Sequence, residues 1–270
     1  MTTRLTLMAV HAHPDDEVIG TGGVLARYAA EGIRTVLVTC TNGEQGDAPG
    51  GAKPGHPGHD ATEVAALRLR ELRASVALLG VSHLELLGYR DSGMAGWEAN
   101  QDPAAFCNVA RAEVIDRIAL LMRRYRPQVV VTYDENGGYG HPDHIQAHRA
   151  TVAAADSTGT PSKLYYTAVP RSAFLELRQQ LGDSGVGTQD FGVPADFGVP
   201  DELVTTVVDV SGYSDRKRQA LAAHASQGEN FFFTHLPEDI LNRAFSREWF
   251  TLRSAPPGLA GEDDLMAGLR

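Results

Sequence analysis

The sequence predicts an α/β protein: a largely parallel sheet of strand order 3-2-1-4-5 flanked by helices, with a smaller mixed part towards the C-terminal end. Three observations predict it. Short apolar runs alternate with stretches of helical period through about the first 170 residues, as β-α-β units require. The spacing between runs is long enough for right-handed crossovers. The densest polar clusters follow directly after apolar runs, and the carboxyl edge of an open parallel sheet is where ligands bind.

Leu5 to Val10 reads as the first buried strand and Val18 to Ala30 as the first helix, with Gly32 as a stop and Arg34 to Cys40 as the second strand. From Thr41 to His59 the chain is rich in Gly and Pro and poor in large apolar residues, which predicts a long loop at the end of strand two. Glu63 to Leu79 has helical spacing and ends at Gly80; His83 to Leu87 is a short third strand. Pro103 can open a helix running to about Arg124, and Gln128 to Tyr133, the most β-branched run, is strand four. Pro142 suits the first turn of a helix continuing to about Ala155, and Lys163 to Val169 is strand five. Beyond it the pattern loosens. A tandem Asp190-Phe-Gly-Val-Pro and Asp196-Phe-Gly-Val-Pro carries no assigned chemistry. Leu203 to Val210 reads as a strand, Asp215 to Ala225 as a helix and Trp249 to Leu252 as a late edge strand, with the last ten residues fraying. Residues 1–170 thus form a Rossmann-like core, and 171–270 an extension that packs on it and shapes the substrate pocket, one domain overall.

With 270 residues and 43% hydrophobic content, the chain can bury a substantial core. A net charge of −10 argues against nucleic acid or an anionic membrane as partner, and no apolar run is long enough for a membrane span. The opening residues lack a secretory pattern, so a cytoplasmic location is expected. Cys40 sits in an apolar strand pattern and reads as a core residue, with no need for a disulfide to Cys107.

Two polar knots carry the chemistry. His11-Ala12-His13-Pro14-Asp15-Asp16-Glu17 follows strand one, and Asp134 to His144, ending His141-Pro142-Asp143-His144, follows strand four. In the order 3-2-1-4-5 those strands are neighbours, and the knots face each other at the topological switch point. Either knot alone is an ordinary turn and helix cap. Facing each other, they read as one site. His13 and Asp16 stand three apart at a helix start, and His144 supplies a third ligand from the facing loop. Two imidazoles and a carboxylate suit zinc or another borderline divalent metal with open positions. A bound divalent ion lowers the pKa of water to about 7, and a carboxylate that is not a ligand can take the proton. Asp15 fits that base. His141 could protonate the leaving amine or stabilise the oxyanion, with Asp143 orienting its ring, and Tyr139 could donate to the same oxyanion. Of the remaining imidazoles, His11 reads as packing or support, His148 as support or a solvated face, and His56, His59, His83 and His235 as surface. Gly20 to Gly23 could serve a nucleotide-binding or glycosyl-transfer module, but the run falls inside the first helix and lacks Gly-x-Gly-x-x-Gly spacing.

The His-Pro-Asp-Asp-Glu at His13–Glu17 and the His-Pro-Asp-His at His141–His144 resemble the LmbE-like (PIG-L) zinc deacetylase family. The resemblance extends to Gly43-Glu44-Gln45-Gly46, Arg90-Asp91-Ser92-Gly93, Tyr133 to Gly140 and His224-Ala225-Ser226-Gln227. It looks like the mycothiol branch, which holds a deacetylase acting on an N-acetylglucosaminyl-inositol and an amidase cleaving mycothiol S-conjugates. The resemblance implies His13, Asp16 and His144 as zinc ligands, Asp15 as base, His141 as acid or oxyanion partner and Tyr139 as a polarising hydroxyl. It also implies that Arg68 and Asp91 bind sugar hydroxyls and that His224 reaches the pocket. Val18-Ile19-Gly20-Thr21 after Glu17 is closer to the family's general sugar deacetylases than to the amidase. The expectation is a hydrolase using Zn2+, or Fe2+, to remove an acyl group, most simply acetyl, from the amine of a glucosamine-containing small molecule. The S-conjugate amidase is the rival, and self-association stays open.

Overall fold

The computed structural model describes residues 4–183, 197–227, 236–255 and 263–270. Its spine is β1 (Thr6–His11), in which all six residues are buried. β1 pairs in parallel with β2 (Arg34–Thr41), Leu7 opposite Thr35, and with β4 (Val129–Thr132), Leu7 opposite Val129. β3 (His83–Tyr89) lies outside β2 and β5 (Lys163–Ala168) outside β4, both parallel. The predicted order is the observed one. The sheet then continues as β5-β7-β6 through β7 (Arg247–Ser254) and β6 (Thr206–Asp209), and both pairings of β7 are antiparallel.

Alternate residues of the central strands feed two separate cores, because successive side chains point to opposite faces. Leu7, Ala9, Leu37, Val129 and Val131 pack under α1 (Asp16–Ala30) and α2 (Ala61–Leu79). Met8, Val10, Val36, Val38 and Val130 pack under α3 (Arg111–Tyr125) and, beyond the short turn α4 (Gly137–Gly140), α5 (Pro142–Thr158). The helices change face between the β2 and β4 sides of β1, so the crevice opens at the carboxyl ends of β1 and β4. α6 (Arg171–Asp183), α7 (Ser214–Ala223) and α8 (Glu238–Ala244) follow, and Leu221 and Ile240 join the first core. No described helix is long and apolar enough to cross a membrane.

Three sequence expectations are corrected. The helix predicted from Pro103 begins at Arg111. Asp102 instead turns the chain by accepting from the Ala104 amide at 2.9 Å, and Phe106 tucks against the Tyr89 ring at 5.0 Å. The late strand is longer than predicted and interior, since β6 forms that edge of the sheet. Residues 263–270 do not fray. Leu265 and Met266 are fully buried, and the Tyr28 hydroxyl donates to Asp264 at 2.7 Å while accepting from the Leu265 amide at 2.8 Å. Gly20 to Gly23 forms no phosphate loop: it lies inside α1, where a Cβ on Gly23 would stand 2.5 Å from Val210. There the Lys217 ammonium donates to the Ile19 carbonyl at 3.1 Å and to Glu248 at 2.7 Å, while Glu248 accepts from the Gly23 and Val24 amides at 2.7 and 2.8 Å. The first copy of the Asp-Phe-Gly-Val-Pro tandem, Asp196 of the second copy, and His235 lie outside the described residues.

Candidate active site

The loop leaving β1 places His13, and Asp16 opens α1 three residues later. His13 Nδ1 is 3.3 Å from Asp16 Oδ2 and 3.2 Å from His144 Nε2, and His144 Nε2 is 3.4 Å from Asp16 Oδ1. These three groups, about 130 positions apart in sequence, therefore meet. Ligand atoms about 2.0–2.2 Å from a tetrahedral ion are about 3.3–3.6 Å from one another, so the spacing suits a zinc-sized cation. The outer ring nitrogens agree. His13 Nε2 lies 3.2 Å from Asp143 Oδ2, and His144 Nδ1 lies 3.1 Å from the Gly137 carbonyl. Both are acceptors, which assigns a proton to each outer nitrogen and turns both inner nitrogens towards Asp16. Two imidazole nitrogens so close repel each other unless a proton or a cation lies between them.

The surroundings are strongly anionic. Burial disfavours a charge on His13, yet Asp91, Asp143 and Asp16 outweigh it and hold the imidazole well above its usual range. The same field favours a cation. His13, His141 and His144 form one cluster able to hold a metal, and His13, Asp91 and Asp143 another. In the second, Asp143 is already engaged: it accepts from the Ser92 amide at 2.9 Å and from the Ser92 hydroxyl. Asp143 thus orients His13, not the His141 ring as expected from sequence; its link to His141 runs from its backbone amide to Nδ1 at 3.2 Å.

That backbone bond leaves the ring proton of His141 on Nε2. Burial, then the neighbouring His13 and His144, push His141 down to about 2, so it stays a neutral donor. Its ring centroid is 4.5 Å from that of His13. Tyr139 is 42% exposed with its ring 5.0 Å from His144. Gly137 permits this turn: its φ is +63°, and a Cβ there would stand 2.6 Å from that of His144.

Asp15 has φ 122° and ψ −30°, a conformation that costs a non-glycine residue about 1–3 kcal/mol. Its carboxylate accepts from Arg68 Nη2 at 2.7 Å; burial pushes Asp15 up to about 6 while Arg68 pulls the other way. Arg68 also donates to the carbonyls of Pro14 at 2.7 Å and Gly43 at 2.6 Å. Both of its terminal nitrogens thus bond within the protein, and one of them fixes the Asp15 carboxylate. Asp91 accepts from the amides of Gly93 at 2.8 Å and Gln45 at 3.3 Å. Burial opposes its charge, but His13 and Arg68 hold it well below the usual carboxylate range. His224 does not reach a pocket: it is fully buried and bonded through Nε2 to Glu17 at 2.8 Å.

Sequence reasoning gave Tyr133 no role. Its hydroxyl accepts from the Ala12 amide at 2.7 Å and donates to Asp16 at 2.8 Å, and its ring stacks on His144 at 4.1 Å. Its place directly after β4, at the carboxyl edge, was the available signal. His148 Nδ1 lies 2.8 Å from the Tyr133 carbonyl behind the site, and His11 Nε2 is hydrogen-bonded with the Thr21 hydroxyl at 2.8 Å.

The sequence profile of PIG-L, described as GlcNAc-PI de-N-acetylase, matches residues 8–155. The chain belongs to the PIG-L family. A protein of Acidothermus cellulolyticus named 1D-myo-inositol 2-acetamido-2-deoxy-alpha-D-glucopyranoside deacetylase is 46% identical, over 98% of this chain and 95% of its own length. The N,N'-diacetylchitobiose deacetylase of Pyrococcus horikoshii shares the PIG-L fold with TM-score 0.56 at 21% identity, covering 94% of this chain and 87% of its own. The 4-carboxy-2-hydroxymuconate hydratase of Pseudomonas putida does so with TM-score 0.58 at 15% identity, covering 94% and 98%. A fold that carries names of two different reactions leaves the chemistry to the site.

Proposed function

We propose that this chain is a divalent-metal-dependent N-deacetylase that removes an acyl group, most simply acetyl, from the amine of a glucosamine-containing small molecule of the N-acetylglucosaminyl-inositol type. The observation that carries the reading is the convergence of His13 Nδ1, Asp16 and His144 Nε2 within 3.4 Å, each imidazole with its outer nitrogen against an acceptor. Membership of the PIG-L family and the 46% identical relative's name support the substrate class.

His13, Asp16 and His144 would hold the ion, zinc or ferrous iron by donor type. When bound, it supplies Lewis-acid chemistry, lowering the pKa of water and polarising a carbonyl. Asp15, held by Arg68 but outside the ligand set, takes the proton of the attacking water. The charge developing on the carbonyl oxygen is met by the Nε2 proton of His141 and by the Tyr139 hydroxyl. Neutral His141 acts as a donor and not as an acid, so the proton gained by Asp15 is the one passed to nitrogen. The C–N bond breaks as the new C–O bond is kept, giving acetate and the free amine.

The test is metal analysis joined to an amine-release assay over a panel of N-acyl glucosaminides and a mycothiol S-conjugate. Chelated protein should be inactive and regain activity with zinc or ferrous iron, fastest on N-acetylglucosaminyl-inositol. Metal-loaded protein that releases no amine from any member overturns the proposal, and faster cleavage of the S-conjugate moves it to the amidase.

A further inference from the structure

Glu17 and His224 are fully buried, 207 positions apart, and take no part in the chemistry above. Glu17 Oε2 accepts the backbone amide of Asp15 at 2.9 Å. Its Oε1 accepts from the Ser75 hydroxyl at 2.6 Å and faces His224 Nε2 at 2.8 Å. His224 Nδ1 has no hydrogen-bond partner among the described residues, so Glu17 is the polar contact of this ring. The segment around His224 is itself anchored. Ser226 donates to Glu71 through its amide at 2.8 Å and its hydroxyl at 2.7 Å, and the Gln227 side chain bonds the Asp47 amide and carbonyl at 3.2 and 3.1 Å. Strained backbone persists where its surroundings over-determine it, and at Asp15 the amide is held from one side while Arg68 holds the carboxylate from the other.

We propose that His224 is a positioning residue for the base: through Glu17 it holds the peptide of Asp15 in the conformation that presents the Asp15 carboxylate to the reacting centre. This rests on the deacetylase reading given above. Without the Nε2 donor, the buried Glu17 carboxylate loses a hydrogen bond it depends on and turns away, releasing the Asp15 amide. A small misplacement of a reacting group costs about 100-fold in rate.

The experiment compares zinc-loaded wild type, His224→Leu, His224→Gln, Asp15→Ala and the Asp15→Ala/His224→Leu double variant on N-acetylglucosaminyl-inositol, with zinc content and near-UV circular dichroism measured for each. His224→Leu should lose about 10- to 100-fold in kcat with KM within about threefold and zinc content unchanged. His224→Gln, which keeps a donor at the position of Nε2, should regain most of the rate. In the Asp15→Ala background His224→Leu should cost nothing further, because the group it positions is gone. Losses that multiply in the double variant, a His224→Gln as slow as His224→Leu, or a rate loss that follows zinc loss would each overturn the positioning role while leaving the deacetylase reading intact. A wild type inactive on the whole panel would sink that reading, and this proposal with it.

Discussion

Asp15→Asn, loaded with zinc, should keep its metal and lose about 10²–10⁴ in turnover, since it removes a proton acceptor and no ligand; zinc stoichiometry beside kcat checks both halves. The base must be deprotonated to act, so kcat/KM should fall as pH drops through the pKa of Asp15. Burial sets that at about 6 in the metal-free site, and a cation beside it lowers it further. A pH profile of the holoenzyme should therefore show an acid limb centred at or below about 6. Asp143 makes a different prediction. Its carboxylate orients the outer nitrogen of His13, so Asp143→Ala should weaken zinc affinity about 10- to 100-fold in a chelator competition. At this scale the sequence was legible where residue type decides: His13, Asp16 and His144 are ligand types at ligand spacing. It was silent where direction decides. Whether Asp143 turns to His13 or to His141, and whether Arg68 faces Asp15 or solvent, depends on loops from four strands meeting at one edge, and no local spacing encodes that.

Among the elements, α1 is the one most dependent on distant residues. The carbonyl of Ile19 and the amides of Gly23 and Val24 are met by Lys217 and Glu248, a buried ion pair brought by α7 and β7. Removing one partner strands the other charge, so Glu248→Gln or Lys217→Met should destabilise the fold by about 3–5 kcal/mol in urea titration. Replacing both by apolar residues should cost less per charge removed. The glycines at 20–23 belong to this account: Gly23 lets Val210 approach where a phosphate loop would need open amides. Strands of the core were readable because apolar runs flanked by loops have few other solutions. The start of α3 was misread because Pro103 suits a helix start and a turn equally, and the Asp102 side chain selects the turn.

For the molecule as a whole, the parallel half of the sheet and its crevice followed from the alternation of runs, whereas the antiparallel β7 and β6 and the docked tail did not. Those pairings join segments far apart in sequence with little periodicity of their own. Leu265 and Met266 complete the core under α1, and the Ala267 carbonyl accepts from the buried Lys163 at 2.7 Å. Deleting residues 263–270 should lower stability by more than Leu265→Ala alone, itself about 2–5 kcal/mol, as read by denaturant midpoints. A midpoint unchanged by the deletion would show that the tail contributes no packing. The same docking bears on how the protein is handled at the bench. Arg270 is ion-paired with Glu31 and Asp264, so a purification handle joined directly to the last residue would crowd that seat, and one fused through a flexible spacer, or ahead of residue 4, would spare it.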